Sequence, residues 1–264
     1  MIITDKKLLG YLDRDTIHNN GKEHKYYSHY KQRKLLVSSL NDEALYLTDG
    51  SKWNDKIDRD NFNNDKLNKK RYAFCFTYNT IENMATWIIN ARIDNQDRRD
   101  NYGYDQNGGL LMKLPKKLLE TIINNIGEVE LGNFKNGIFV EKTSLNIKSL
   151  KIYLADIYYV ENNKIREHYN NETTVILGKK RYLINKKFYD ETSFLSKADG
   201  WKYEKECRLI VEMNKNPIIE DCHFLKIKLS KEIIKEIKDK CLIEDPANGN
   251  EEYGKSDLQG TVSF

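Results

Sequence analysis

Proline is nearly absent from this sequence, at 3 residues in 264. No proline- or serine-rich linker can be drawn, so composition marks no boundary between domains. Cysteine is scarce too. Cys75, Cys207, Cys222 and Cys241 form no C-x-x-C pair, and no histidine stands at zinc-finger spacing from them. They read as small core residues in a reducing compartment. Long apolar runs are missing: none approaches the roughly 20 residues that span a bilayer. Met1-Ile2-Ile3-Thr4 runs straight into charge, which is not how a signal peptide begins. The expectation is a cytoplasmic protein with no membrane partner. Also missing are a Walker loop, G-x-G-x-x-G, H-E-x-x-H and G-x-S-x-G. Gly108-Gly109 alone is a turn signal. Phosphate-loop, zinc-protease and α/β-hydrolase chemistry therefore lose their usual supports. No acidic cluster with metal-ligand spacing is visible, and no metal is expected.

What is present is charge of both signs. There are 44 basic and 40 acidic residues, for a net +4, interspersed along the chain. That pattern makes a solvated surface rather than a nucleic-acid footprint. The heavy use of Asn, Lys and Ile matches the bias of an AT-rich genome. The hydrophobic fraction is only 39%, but 17 Tyr and 9 Phe add amphipathic bulk. A chain of this length can bury most of its apolar surface without disulfides or metal.

Residues 1–23 are polar and read as a loose arm, and the tail from 246 to 264 reads as frayed. Between them, 24–245 read as a single domain. The aromatic run His24–Tyr30 suits a strand, Lys31–Leu40 a helix with Leu35, Leu36 and Leu40 inward, and Ala44–Thr48 a compact strand. Asp49–Asn68 is a long loop holding short helical turns. Tyr72–Tyr78 is the most β-like run, followed by a helix over Thr80–Ala91 and a polar loop over Ile93–Gly108. Gly109–Leu114 is a strand, and Pro115 opens a helix to about Asn125. Strands are expected at Glu128–Leu131, Gly137–Glu141, Ser149–Val160, Glu204–Met213 and His223–Leu229. Lys179–Phe188 is expected to be helical. Ser230–Lys240 is a helix capped by Ser230, with Ile233, Ile234 and Ile237 inward. No internal repeat appears, and strands and helices do not alternate regularly. An α+β fold follows, rather than a doubly wound one.

Three blocks carry chemistry. The first is Ser28-His29-Tyr30, then Leu45-Tyr46-Leu47-Thr48 and Trp53-Asn54-Asp55. On a strand His29 shares a face with Tyr27, and Tyr30 points the other way. His29 can donate to a sugar or phosphate, or serve as a half-buried structural histidine. The second block is the strand Tyr72–Thr77 with the helix bearing Trp87, which lies off the face built from Ile81, Met84 and Ile88. Trp87 can line a pocket or simply pack. The third is Trp201-Lys202-Tyr203-Glu204-Lys205-Glu206-Cys207-Arg208-Leu209-Ile210-Val211. Period-2 geometry puts Glu204, Glu206 and Arg208 on one face, so this strand begins wet and ends in the core. Its two carboxylates can share acid/base or sugar-binding work. The alternative is an exposed face laced with a Glu–Arg pair, worth under about 1 kcal/mol.

In this order the blocks resemble the bacterial family called domain of unknown function 2971. That family shows H-Y-T-S, an L-W-x-T/S strand leading to N-D, C-F-S followed by x-W, a glycine before a strand, and E-x-E-W-R. The likeness runs from about His29 to Val211, with Gly108-Gly109-Leu110-Leu111 where the glycine block falls. This chain departs from it at Lys31, at Lys56, where the family has proline, at Ile88-Ile89-Asn90 after Trp87, and at Cys207, where it has tryptophan. More distantly the layout is similar to the ADP-ribosyltransferase superfamily. That resemblance implies a mixed, mainly antiparallel split sheet with flanking helices, and NAD as substrate. It implies that His29 holds the adenosine ribose, that Tyr46 or Thr48 sits beside the nicotinamide, and that Glu206 is catalytic with Glu204 as its companion. Tyr30, Trp87 and Arg208 complete the candidate NAD-contacting set. His29 and Glu206 are then expected to share a groove. The implied role is a toxin or phage-defence effector acting on a protein or nucleic-acid target, with an antitoxin or immunity partner. Two other readings stand beside it: a ligand-binding or regulatory module without turnover, and a nuclease or phosphodiesterase using His29, Glu204, Glu206 and Arg208.

Overall fold

A computed structural model of the chain describes residues 2–3, 12–13, 24–53, 56–63, 68–77, 109–160, 172–177 and 180–244. The strands begin with β1 (Ile2–Ile3), β2 (Leu12–Asp13) and β3 (Tyr26–Gln32). Then come α1 (Arg33–Asn41), β4 (Ala44–Thr48), α2 (Lys56–Phe62), β5 (Lys69–Thr77), β6 (Gly109–Pro115) and α3 (Lys116–Asn124). The middle holds β7 (Glu128–Lys135), β8 (Ile138–Asn146), β9 (Lys151–Asp156), β10 (Tyr158–Val160), β11 (Glu172–Leu177), β12 (Lys180–Asn185) and α4 (Lys186–Thr192). Last are β13 (Ser196–Ala198), β14 (Glu206–Asn214), α5 (Pro217–Glu220), β15 (Phe224–Lys228), α6 (Lys231–Lys240) and β16 (Leu242–Glu244). The class is mixed α+β with mainly antiparallel pairing; β1 runs parallel to β12, and β10 parallel to β13. Among the described residues no helix is long and apolar enough to cross a membrane. The helix expected over 80–91, with Trp87, and the tail from 246 lie outside the described residues.

The chain divides into two compact units. One comprises Met1–Glu23, Tyr46–Phe76 and Ile126–Ile227; the other comprises His24–Leu45, Thr77–Asn125 and Lys228–Phe264. In the second unit β3 runs antiparallel to β6 from Tyr26↔Pro115 to Gln32↔Gly109, and β16 pairs with the other edge of β6. Leu110, Leu111, Met112 and Leu114 are all buried, as expected for a strand covered on both faces. Pro115, extended at φ −60° and ψ 145°, stands at the N-cap of α3. That helix buries Leu118, Leu119, Ile122 and Ile123, the spacing of one helical face. Ser230 Oγ accepts from the Ile233 N–H at 3.3 Å and caps α6, whose Ile233, Ile234 and Ile237 point inward. In α1, Leu36 and Leu40 are buried, but Leu35 is 49% exposed: the helical face is narrower than its three leucines suggest.

In the first unit the main sheet runs β2-β9-β14-β5-β4-β15-β7-β8. β7 and β8 form a hairpin over Asn136-Gly137, both at positive φ (51° and 80°), the requirement of a tight two-residue turn. Gly132 sits at a register shift in that hairpin, where an added Cβ would lie 2.1 Å from the Val140 carbonyl oxygen. Gly132→Ala must therefore push the two backbones apart. A loss of about 1–3 kcal/mol in urea unfolding is the expected outcome.

A second sheet, β1-β12-β11-β10-β13, belongs to the same unit. It corrects one expectation: Lys180–Asn185 is a strand, and the helix begins only at Lys186. Six consecutive pairs, Glu172↔Asn185 to Leu177↔Lys180, hold β12 against β11, and this pairing outweighs the local helical spacing.

Candidate functional site

β14 is buried from Glu206 to Met213, so the expectation of a wet charged end fails. Its period-2 faces still separate cleanly. Cys207, Leu209, Val211 and Met213 share one side; Glu206, Arg208, Ile210 and Glu212 share the other. The charged side is covered by α2, by β13 and by the helical turn Asp199–Glu204. Glu204 is part of that turn rather than of the strand, which corrects the expected start of β14.

Arg208 is the centre of this layer and is fully buried. Its two terminal nitrogens donate to the two oxygens of Asp58 at 2.9 and 2.6 Å, and Nε donates to Glu206 at 2.5 Å. Small Ala155 is its cross-strand partner. The guanidinium carbon lies 4.5 Å from the Trp53 ring centre, within cation–π range. Lys197, from β13, meets Glu204 at 2.5 Å, Glu206 at 3.2 Å and Asp58 at 3.8 Å, and stands 5.0 Å from the Trp201 ring centre. The Glu206 backbone N–H donates to Tyr159 Oη at 3.0 Å, and the Cys75 thiol hydrogen-bonds its carboxylate. The Glu–Arg pair is thus not the weak exposed bridge of the alternative reading.

Further along the same face, Arg71 donates to Glu212 at 2.8 Å, with its guanidinium carbon 4.2 Å from the Phe194 ring centre. Arg71 also reaches the Phe62 carbonyl at 3.3 Å, and Arg208 reaches the Phe194 carbonyl at 3.5 Å. The two arginines therefore tie the end of α2 and the 193–195 turn to the sheet.

Burial works against charge on Glu206, but Arg208 and Lys197 hold its carboxyl well below the usual range. Burial also pushes up Asp58, against the pull of Arg208; its paired oxygens have the bidentate geometry of an ionised carboxylate. Glu204 behaves differently. Burial and neighbouring Glu206 push it up against the pull of Lys197, to about 7. Lys197 is held protonated by Glu206, Glu204 and Asp58 despite burial. Two cations balance Asp58 and Glu206, so ionising Glu204 adds a surplus negative charge. With its side chain 15% exposed, Glu204 is the least buried of the three carboxylates.

Of the candidates named from sequence, Glu204, Glu206 and Arg208 come together. Thr48 joins them at one remove, accepting from the Trp53 indole at 3.3 Å. Tyr46 packs against Phe134 and Phe139, with ring centres 5.0 and 5.4 Å away. His29 and Tyr30 lie on β3 of the second unit, opposite Met112 and Leu111. Trp87 is outside the described residues. Sequence reasoning missed Asp58, Lys197 and Tyr159, and it named Trp201 at the head of the third block without giving it a role. Lys197 had a signal, as the one charge within Thr192–Ala198. Asp58 had little, lying in a segment crowded with Asn, Asp and Lys. Among the described residues no group of three is arranged to hold a metal ion.

Compared with family models, curated proteins and solved structures, the chain finds no match.

Proposed function

We propose that this chain is an ADP-ribosyltransferase that releases nicotinamide from NAD and passes ADP-ribose to a nucleophile on a macromolecular target. The observation that carries the reading is Glu204: a carboxyl at the edge of a buried charge network, poised at about 7 beside Lys197. In the reaction the bond between ribose C1′ and the nicotinamide nitrogen breaks. Nicotinamide leaves as a neutral molecule with the bonding electron pair, and positive charge develops on the sugar, as in glycoside cleavage. C1′ then bonds to the acceptor, whose proton passes to a carboxylate. A group that ionises near neutrality suits both the sugar's charge and the acceptor's proton.

Trp201, partly buried beside Lys197, offers aromatic surface for a nicotinamide or adenine ring. Glu206 is the fixed anion that holds Lys197 and Arg208. This exchanges the roles implied by resemblance, with Glu204 at the substrate and Glu206 as its companion. The split-sheet likeness to ADP-ribosyltransferases and membership of the family of unknown function belong to the same proposal, and rest on motif order.

NAD labelled in its ADP-ribose moiety, incubated with the protein and cell lysate, should transfer label to a macromolecule. Glu204→Gln should transfer about 10²–10⁴-fold less. Absence of both label transfer and nicotinamide release overturns the reading. A ligand-binding module is the second reading, favoured by the way Asp58, Glu206 and Arg208 satisfy one another. It expects NAD to raise the melting temperature and to be recovered unchanged.

A further inference from the structure

Glu204 and Glu206 are two residues apart. On an unbroken strand their side chains would stand side by side, about 7 Å apart, pointing the same way. The chain does not run straight between them. Lys205 has φ 43° and ψ 56°, the left-handed region, which costs an L residue with a Cβ. The helical turn Asp199–Glu204 ends there and β14 starts at the next residue. A left-handed residue is a common way to leave a helical turn, but glycine is the usual occupant. In this chain the position separates two carboxylates that meet the same ammonium, at 2.5 Å from Glu204 and 3.2 Å from Glu206.

We propose that Lys205 is a positioning residue whose left-handed backbone folds Glu204 back onto Lys197, so that Glu204 and Glu206 share one ammonium. The consequence falls on ionisation. Folding Glu204 back buries its carboxyl, which disfavours its charge most, and Glu206 adds repulsion while Lys197 pulls the other way. Reversing the turn would release Glu204 toward solvent and away from Glu206. The sign of φ at Lys205, not the charge of its side chain, sets this fold-back. The functional consequence rests on the reading of Glu204 as the group that touches substrate, whereas the convergence can be measured without NAD.

The experiment compares Lys205→Gly and Lys205→Asn, which accept positive φ, with Lys205→Val, which does not. The ionisation midpoint of Glu204 is read from its side-chain carboxyl ¹³C shift, assigned by its loss in Glu204→Gln. Glycine and asparagine should leave the midpoint near that of the parent. Valine should lower it by about two pH units, toward the ordinary glutamate range. Should Lys205→Val not fold, Lys205→Ala carries the test, and its midpoint must then fall below that of Lys205→Gly. Equal midpoints in all variants overturn the proposal, as does a drop in the glycine variant as large as that in valine. Midpoints ordered as stated, with no NAD turnover in any variant, would remove the transferase reading and leave this inference standing.

Discussion

Replacing Arg208 with methionine should cost about 3–5 kcal/mol of folding stability, a large part of the margin of an ordinary domain. Methionine fills much of the space but leaves Asp58 and Glu206 buried, with Lys197 as the cation facing them. The Phe194 carbonyl also loses a donor, and Trp53 loses the charge above its ring. Arg208→Lys should lose nearly as much, because an ammonium cannot reach both Asp58 oxygens and Glu206 in the planar fork that the guanidinium supplies. Combining Arg208→Met with Asp58→Asn and Glu206→Gln should recover a substantial part of the loss, since the uncompensated charges go with it. Urea unfolding of the single and combined variants measures this. A loss within about 1 kcal/mol for Arg208→Met would mean that the pair behaves as a solvated surface bridge.

The second large effect is on Glu204. Its carboxyl stands at about 7 in the folded protein against an ordinary value of 4.5. A folded value above the unfolded one means that the neutral form is favoured by folding. That contribution is complete below about 4.5 and disappears as pH rises through 7. The difference of about 2.5 units corresponds to roughly 3 kcal/mol. Glu204→Gln is neutral at every pH and should escape the loss. The variant should therefore become more stable than the parent by up to about 3 kcal/mol as pH goes from 4.5 to 8, with the two converging in acid. Glu206 acts in the opposite sense: its contribution is present above the ordinary carboxyl range and is lost on acidification. Because Glu206 is in both proteins, it largely cancels from the comparison. Parallel stability curves across that range would mean that Glu204 is an ordinary solvated acid. On the proposed reaction the same substitution also removes the general base and should lower turnover by about 10²–10⁴.

Much of the scaffold was legible in the amino-acid pattern. Ala44–Thr48, the run from Gly109 into the helix after Pro115, and the Ser230-capped helix appear where period, proline and cap residues put them. β12 was not legible, because Lys180–Asn185 is held as a strand by pairing with β11, a partner no local window contains. The charged face of β14 was half legible. Alternation put Glu206 and Arg208 together, but charge at alternate positions ordinarily signals water. What covers these residues comes from distant segments, with Asp58 150 positions away from Arg208 in sequence. The place of Glu204 was hidden for a different reason: a single left-handed residue at Lys205 breaks the period that its spacing implied. Lys197 is the clearest missed clue, a lone cation in an apolar and hydroxyl-rich stretch, which a core tolerates only when carboxylates meet it.

The most direct test of the account is nicotinamide release from NAD by the purified protein, followed from pH 5 to pH 9 beside Glu204→Gln. Release should rise through a single midpoint near 7 in the parent and be nearly absent in the variant. No release at any pH, or the same release from both proteins, would contradict the transferase reading.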